Sequence, residues 1–331
     1  MTHNIKIIGC GYIGKKIAGI LKEKNINAAC FVNSDASISH CVSEGFQVVK
    51  FDLDKKTLEL NKNTITSFEK SVMVYLVPPP AKGETDSRMQ NFIALLSTLN
   101  HPPEKILLIS TTGVYGNCNG EWIDEQRKEN PQVDRARRRL SAESQLKKYC
   151  TTFQVPLIIF RVPGIYAADK LPLKRISSGE PIVNAQNSGF TNRIHALDLA
   201  RFCVEGLLEN VVTTGNARTG NASTGNARTG NTRTESLGSN NVNSEIFNCC
   251  DGQPSTMNDY FMKVADAMKL PRPKEISLQQ ARQQLSAGML SYLAESKRIS
   301  NKKLLRYFKT EFKYPDLLAG LKSLDKKGQG T

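Results

Sequence analysis

A glycine-rich turn near the N-terminus carries the clearest chemical signal in the sequence. Residues 9–14 read GCGYIG and follow the apolar run IKIIG at residues 5–9. In such a turn the first glycine permits the tight bend, the second lets the backbone approach a pyrophosphate, and the third lets the helix pack on the strand. Since the turn opens a strand–turn–helix unit, it predicts a dinucleotide-binding site at Gly9, Gly11 and Gly14.

The residues after the second predicted strand bear on the choice between NAD and NADP. An acidic residue at this strand end binds the ribose hydroxyls of NAD. Here the apolar run at residues 28–32 is followed by the neutral Asn33, and Asp35 comes two positions later. Lys15 and Lys16 add positive charge to the following helix. This pattern slightly favours NADP.

A dense cluster of arginines forms the second candidate site. Residues 134–145 read DRARRRLSAESQ, a composition compatible with a nucleic-acid contact, a solvated helix face or an altered active site. On a solvated face, Arg139 would pair with Glu143 at i,i+4 spacing. On a functional face, Arg135, Arg138 and Arg139 would share one side of the helix and clamp a phosphate or carboxylate. The sequence alone leaves both interpretations open.

Seven apolar segments alternate with helical patterns and supply the framework for these residues. Each is short, rich in β-branched residues and apolar throughout, which is typical of a parallel sheet covered on both faces. The segments are residues 5–9, 28–32, 46–49, 71–77, 105–110, 156–162 and 245–249. They predict an α/β fold, a Rossmann-type doubly wound parallel sheet with a smaller C-terminal substrate lobe.

The predicted domains follow from this order of elements. The NAD(P)-binding Rossmann domain spans 1–164 and regains 191–210 and 244–250. The substrate-binding lobe comprises 165–190 and 251–331, including a basic segment at 296–308 expected to form a helix with a solvated face. Residues 211–243 contain TGNAR-type five-residue repeats without large apolar side chains and are expected to be a low-complexity inserted loop.

Composition excludes several function classes. The 331 residues carry a net charge of +14, but the basic residues are scattered along the chain, which makes a nucleic-acid partner unlikely. The eight cysteines show no CxxC spacing, so neither a metal site nor a disulfide framework is expected. No apolar stretch is long enough for a membrane span and no leader is evident, so a soluble cytoplasmic protein is expected.

Several ordered motifs together resemble the extended short-chain dehydrogenase/reductase superfamily, and most closely its atypical NAD-dependent epimerase/dehydratase-like members. They are GCGYIG at 9–14, FDLD at 51–54, STTGVYG at 110–116, FRVPGIYA at 160–167 and NRIHALDLA at 192–200. The resemblance spans nearly the whole chain, with the repeat segment as an insertion.

The resemblance implies a set of NAD(P)-binding residues. Those matching the pyrophosphate loop, the adenine contact and the strand end beside the nicotinamide ribose are Gly9, Gly11, Tyr12, Ile13, Gly14, Asp52, Leu53, Leu76, Val77 and Pro78. Asn33 joins them from the second strand end. For Asp52, a helix N-cap is the alternative interpretation.

The resemblance also implies catalytic and substrate positions. The family uses a Ser or Thr together with a Tyr and a Lys four residues apart on one helix. Thr111 matches the first position, with Thr112 as its nearest rival, whereas Arg135 and Arg139 stand where Tyr and Lys are expected. An arginine stays protonated and cannot replace the tyrosine as acid and base. Tyr115 is then the remaining candidate proton donor, with packing under its turn as the alternative.

Two function classes follow. One is an NAD(P)-dependent epimerase, dehydratase or reductase acting on a small anionic substrate, with a nucleotide sugar as one option. Its substrate-binding residues would be Arg135, Arg139, Asn192, Arg193 and His195, although a structural role for His195 is the more common alternative. The other class is a non-catalytic NAD(P)H sensor or partner subunit. An oligomer is compatible with either.

Overall fold

The computed structural model describes residues 4–55, 60–209, 244–286, 290 and 293–325. Its strands are β1 Ile5–Ile8, β2 Ala28–Val32, β3 Gln47–Lys50, β4 Val72–Tyr75, β5 Lys105–Thr111, β6 Trp122–Ile123, β7 Leu157–Val162, β8 Gly164–Tyr166, β9 Ile182–Val183, β10 Phe190–Thr191, β11 Arg193–His195, β12 Ser244–Asn248, β13 Ser255–Thr256, β14 Glu275–Ile276 and β15 Arg298–Ile299. Its helices are α1 Tyr12–Glu23, α2 Asp35–Ser43, α3 Lys62–Thr66, α4 Ser87–Leu96, α5 Asp134–Phe153, α6 Leu173–Ser177, α7 Ala196–Leu208, α8 Met257–Ala267, α9 Leu278–Gln284, α10 Lys302–Tyr307 and α11 Leu317–Asp325.

A seven-stranded sheet organises the molecule, in the order β12-β7-β5-β4-β1-β2-β3. All of its neighbouring strands pair in parallel. The seven predicted segments supply these seven strands. The continuous apolar runs predicted these strands correctly because strands of a doubly wound sheet are buried on both faces.

Helices cover both faces of this sheet. Alternate strand residues such as Ile7 and Val74 pack in one apolar cluster with α1 and α7. The intervening residues such as Ile8 and Met73 pack in a second cluster with α4 and α5. The predicted Rossmann-type doubly wound class is therefore confirmed.

A separate apolar cluster lies outside the sheet. It joins the C-terminal part of the chain to residues 166–182, and its buried members include Tyr166, Ile176, Phe261 and Leu321. This cluster lies in the part of the chain that was predicted to form the smaller lobe. The predicted inserted loop at 211–243 lies outside the described residues. No helix in the described ranges is long and apolar enough to cross a bilayer.

The carboxyl ends of the parallel strands place the predicted site residues on one edge. Strand β1 lies between β2 and β4, so the connections leaving these strands diverge at this point of the sheet. Ligands of open α/β sheets bind in the crevice beyond such a switch point. The turns after β1, β2, β3 and β4 meet there, and the ends of β5 and β7 lie beside them.

Candidate functional site

A cavity of about 420 Å³ occupies the switch point of the sheet. Ten of the eleven residues predicted to bind the cofactor line it, namely Gly9, Gly11, Tyr12, Ile13, Gly14, Asn33, Asp52, Leu53, Leu76 and Val77, and the eleventh is Pro78. Pro78 lines it as well. The structure thus brings the predicted dinucleotide site together from four strand ends.

The glycines of the turn differ in what a side chain would meet. Gly9 has a φ of +90°, and an added Cβ would lie 2.9 Å from the backbone nitrogen of Val77. A Cβ at Gly14 would lie 3.0 Å from the carbonyl oxygen of Gly9. At Gly11 the nearest atom would be 4.0 Å away, so the space above this residue is open. Gly9 and Gly14 are needed for the fold of the turn, whereas Gly11 leaves room for a ligand.

The N-terminus of α1 is suited to an anion. The helix spans 12 residues, its N-cap Gly11 offers no side-chain hydrogen bond, and its first turn holds no acidic residue. The backbone N–H groups of such a first turn have no partner within the helix. They and the helix dipole favour phosphate oxygens at this point, which fits the pyrophosphate of a dinucleotide.

The opposite wall of the cavity is polar. Asp52 Oδ1 accepts a hydrogen bond of 3.0 Å from the backbone N–H of Asp54, so Asp52 shapes its own turn, and the described residues 53–55 are not helical. Arg88 donates to both carboxylate oxygens of Asp54, at 2.6 and 2.7 Å, and to the carbonyl oxygen of Pro78 at 2.9 Å. Sequence reasoning missed Arg88 and Ser37, which no motif marks, and Asp54, which ends the FDLD motif but was not singled out.

Tyr12 connects the glycine turn to the smaller lobe. Its hydroxyl donates a 2.5 Å hydrogen bond to Asp169 Oδ1. The Nζ atoms of Lys16 and Lys170 lie 4.8 and 4.6 Å from the centre of its ring. Lys16 therefore faces the lobe and gives no support to the NADP preference inferred from the lysine pair.

A second cavity, of about 320 Å³, lies beside the first. Its lining combines predicted and unpredicted residues: Pro79, Thr111, Thr112, Gly113, Arg135, Ala136, Arg139, Pro163, Gly164, Phe190, Thr191, Asn192, Glu295 and Lys297. Pro78 lines the first cavity and Pro79 the second, so the loop after β4 separates them. Four predicted site residues thus line this one cavity: Thr111, Arg135, Arg139 and Asn192.

The arginines of α5 take different positions. Arg135 is exposed at the second cavity, and Arg137 forms a surface ion pair with Asp134 at 2.5 Å. Arg138 is buried and donates to the carbonyl oxygen of Gly83 at 2.7 Å. Arg139 donates to the carbonyl oxygen of Val77 at 3.1 Å. Arg138 and Arg139 therefore hold both ends of the proline-rich loop that divides the two cavities.

The expected pairing of Arg139 with Glu143 is replaced by a buried network. Glu143 is fully buried and accepts hydrogen bonds from Ser110 and from Arg161 Nη2 at 2.8 Å. Arg161 is fully buried too, and also pairs with Glu129. Since Arg161 already neutralises Glu143, Arg139 turns toward the loop and the cavity.

Tyr115 belongs to this network and not to the cavity. Its side chain is 1% exposed, and its hydroxyl donates to Asn248 Oδ1 at 2.8 Å. The Arg161 guanidinium lies 4.8 Å from its ring centre, and burial raises the pKa of Tyr115 to about 12. This placement supports the packing interpretation, so we leave Tyr115 out of the proposed catalytic residues.

Asn192 positions the part of the second cavity's lining that sequence reasoning missed, Glu295 and Lys297. Its Nδ2 donates to the carbonyl oxygen of Lys297 at 3.0 Å, and its Oδ1 accepts from the N–H of Ile299 at 2.9 Å. Lys297 is buried and donates to Glu295 and to the carbonyl oxygen of Gly116. The expectation of a solvated helix over 296–308 is wrong for its first half, which is extended and carries β15. Only tertiary pairing with β6 reveals it.

Arg193 and His195 line neither cavity. The Arg193 side chain is buried, donates to Ser255 and Thr191 at 2.9 Å each and stacks 3.9 Å over Tyr260. His195 Nδ1 accepts from the N–H of Leu197 at 3.2 Å and thereby caps α7. Both side chains are occupied in structural contacts, so we leave them out of the proposed substrate site.

The buried state of His195 predicts a measurable pH dependence. Burial lowers its pKa from 6.5 to about 4, so the unfolded chain binds a proton that the folded protein excludes. His195 should therefore reduce stability as the pH falls from 6.5 toward 4, by up to about 3 kcal/mol. Replacing His195 with asparagine keeps an N-capping group and should remove this slope.

The measurement is urea unfolding of both proteins at several pH values. Their difference is needed because burial raises the pKa of Asp251 to about 7, which gives the opposite slope in both proteins. A difference in unfolding free energy that stays constant from pH 7 to about 4 would contradict the buried neutral histidine.

Comparison with solved structures places the fold among known proteins. No protein-family model and no curated protein sequence matches the chain. A conserved protein of unknown function from Silicibacter pomeroyi matches at 18% identity and a TM-score of 0.71, over 98% of this chain and 99% of the other. A protein described as an NAD-dependent epimerase/dehydratase from Methylobacillus flagellatus matches at 20% identity and 0.68, over 99% and 100%.

A third match has a bound cofactor. The UDP-glucuronic acid 4-epimerase of Bacillus cereus, solved in complex with NAD, shares 15% identity at a TM-score of 0.65, over 97% of this chain and 98% of the other. At such identities the matches speak for the fold alone. This chain has the Rossmann-type fold of NAD-dependent epimerase/dehydratase structures along nearly its whole length.

Proposed function

We propose that this protein binds NAD(P)(H) in the first cavity and acts on a small anionic substrate in the second, as an atypical oxidoreductase or epimerase. The observation that carries the proposal is the turn at residues 9–14, whose open space above Gly11 faces an uncapped helix N-terminus. This arrangement suits a pyrophosphate. The bound NAD of a matched epimerase agrees with it.

The chain's own residues divide the work between the cavities. The residues of the first cavity would hold the adenosine and pyrophosphate, and the loop at Pro78 and Pro79 would set where the nicotinamide end meets the substrate. A bound nicotinamide supplies hydride donation and acceptance. Thr111, at the end of β5, lines the second cavity and would bind the substrate oxygen. A nucleotide sugar is one candidate substrate, since a matched epimerase from Thermotoga maritima was solved with UDP-glucose.

The preference for NADP rests on one residue. Asn33 lines the first cavity where an acidic residue would exclude a ribose phosphate. The nearby Lys50 is engaged with Asp35 at 2.7 Å. We propose a modest preference for NADP on the grounds of Asn33 alone.

The arginines on α5 predict slow hydride transfer to the cofactor. General acid–base assistance is worth about 10²–10⁴ in rate, and guanidinium groups at 135 and 139 cannot provide it. With D-glucose 6-phosphate or UDP-glucose as probe, we expect slow reduction of NADP⁺. The double variant Arg135→Tyr with Arg139→Lys should accelerate it.

Absorbance of the reduced nicotinamide measures both rates, with Arg137→Gln as the control for a lost charge on the same helix. Rapid turnover by the unmodified protein that survives Thr111→Ala would show that the chemistry takes place elsewhere.

The same arginines favour a second candidate function, a non-catalytic NAD(P)H-binding sensor or partner subunit. In that case the cofactor would bind tightly and no substrate would be turned over. Mass spectrometry of protein purified without added ligand identifies the retained cofactor and any co-purified metabolite. An enzyme should exchange its cofactor and consume that metabolite, whereas a sensor or partner subunit should retain the cofactor and leave the metabolite unchanged.

A further inference from the structure

Among the described residues, Arg139 forms no ion pair within 4.0 Å. Its side chain is only partly accessible, burial lowers its pKa, and the ranges covered by the structure offer no carboxylate within 4.0 Å of it. Glu143 pairs with Arg161, burial raises the pKa of Asp86, and both carboxylates act on Arg139 only from beyond ion-pair distance. A desolvated guanidinium without a counter-charge is costly unless a ligand supplies one.

Arg139 faces a cavity with an excess of positive charge. The charged side chains in its described lining are Arg135, Arg139 and Lys297 against the single carboxylate Glu295, a net of three minus one, or +2. Lys297 is held by Glu295 and the Gly116 carbonyl. Arg139 and Arg135, on adjacent turns of α5, are the other two cations of this lining.

The remaining lining suits hydroxyl groups. Thr111, Thr112 and Thr191 contribute hydroxyls, and the Glu295 carboxylate can accept hydrogen bonds from a ligand. Lys297 holds Glu295 in place, and Asn192 holds the backbone of Lys297. A fixed acceptor and two further cations in one lining suit a molecule with an anionic end and hydroxyls.

The size of the cavity limits that molecule. Its volume of about 320 Å³ lies at the lower end of the range for ligand pockets, about 300–1,000 Å³. Part of this space adjoins Pro79 and would be shared with the nicotinamide end of a bound cofactor. The room that remains fits one sugar ring or an open chain of similar size.

We propose that the second cavity binds a monosaccharide-sized polyhydroxy anion, a sugar acid or a sugar phosphate without an attached nucleotide. Its carboxylate or phosphate lies on Arg139 and Arg135, and a hydroxyl donates to Glu295. This inference rests on the proposed function and narrows its substrate class.

Calorimetric titration of the protein saturated with NADPH tests the inference, because the bound cofactor blocks the pyrophosphate site against the added anions. The probes are D-glucuronate, D-glucose 6-phosphate, neutral D-glucose and UDP-glucose. We expect one of the two small anions to bind at least tenfold more tightly than glucose and UDP-glucose, and the better of the two identifies carboxylate or phosphate.

Variants locate the binding. Arg139→Gln should weaken the anion at least tenfold, with little change for glucose, whereas Arg137→Gln should change nothing. Arg135→Gln serves as the second variant if Arg139→Gln disturbs the fold, because Arg135 is exposed. Melting temperature and NADPH affinity are measured for each variant to show that the loop after β4 is intact.

Any of three affinity results for the unmodified protein would overturn the inference: no binding by either small anion at millimolar concentration, equal affinity for glucose, or tighter binding of UDP-glucose. Anion affinity that is unchanged in both Arg139→Gln and Arg135→Gln would also overturn the inference. Failure of the proposed function would be seen differently: the protein would bind neither NADPH nor NADH, before any anion is added.

Discussion

Replacing Gly11 with alanine should weaken NADPH binding at least tenfold and leave the melting temperature nearly unchanged. The added methyl group meets no protein atom closer than 4.0 Å, and the backbone φ of −82° is accessible to alanine. The methyl would instead occupy the space that a pyrophosphate needs to reach the first turn of α1. A tenfold loss corresponds to about 1.4 kcal/mol of binding free energy.

Gly9→Ala provides the contrast. This change forces a φ of +90° on alanine and brings its Cβ to 2.9 Å from the Val77 backbone, so it should lower the melting temperature as well. Fluorescence titration and thermal unfolding of both variants make the comparison. A Gly11→Ala protein with unchanged NADPH affinity would contradict the assignment of this turn to the cofactor.

The largest effect on stability is expected at Arg161. Its guanidinium is fully buried between Glu143 and Glu129, and Glu143 is fully buried as well. Arg161→Met would leave the Glu143 carboxylate inside the protein with Ser110 and, at 3.9 Å, Lys147 as its remaining polar neighbours. Breaking one partner of such a pair costs about 3–5 kcal/mol.

A double-mutant cycle with Glu143→Met tests this account. Because two apolar side chains need no charge compensation, the double variant should be more stable than either single variant. Urea unfolding gives the free energies. Additive losses would show that the two side chains do not act as a pair in the folded protein.

The sheet and the first cavity were predictable because both depend on local sequence. A strand buried on both faces must be apolar along its whole length, so Ile5–Ile8 and Leu157–Val162 are visible without knowledge of their neighbours. The residues predicted to bind the cofactor follow strand ends directly, and parallel strands bring their ends to one edge. Gly9, Asn33, Asp52 and Leu76 therefore meet in one cavity.

The second cavity was only partly predictable because its walls depend on distant contacts. Lys297 and Glu295 reach it through the pairing of β15 with β6, and nothing in their local sequence indicates that pairing. Tyr115 and His195 stand in familiar motifs, but their side chains are held by Asn248 and by the N-terminus of α7. Their positions in these motifs predicted that Tyr115 and His195 lie at the site. Their side chains are instead buried in other contacts.

Fluorescence titration of the unmodified protein with NADPH and with NADH tests the central claim most directly. The account predicts saturable binding of at least one of them at a single site, with NADPH modestly preferred and with the affinity reduced in Gly11→Ala. No saturable binding of either nucleotide at millimolar concentration would contradict it.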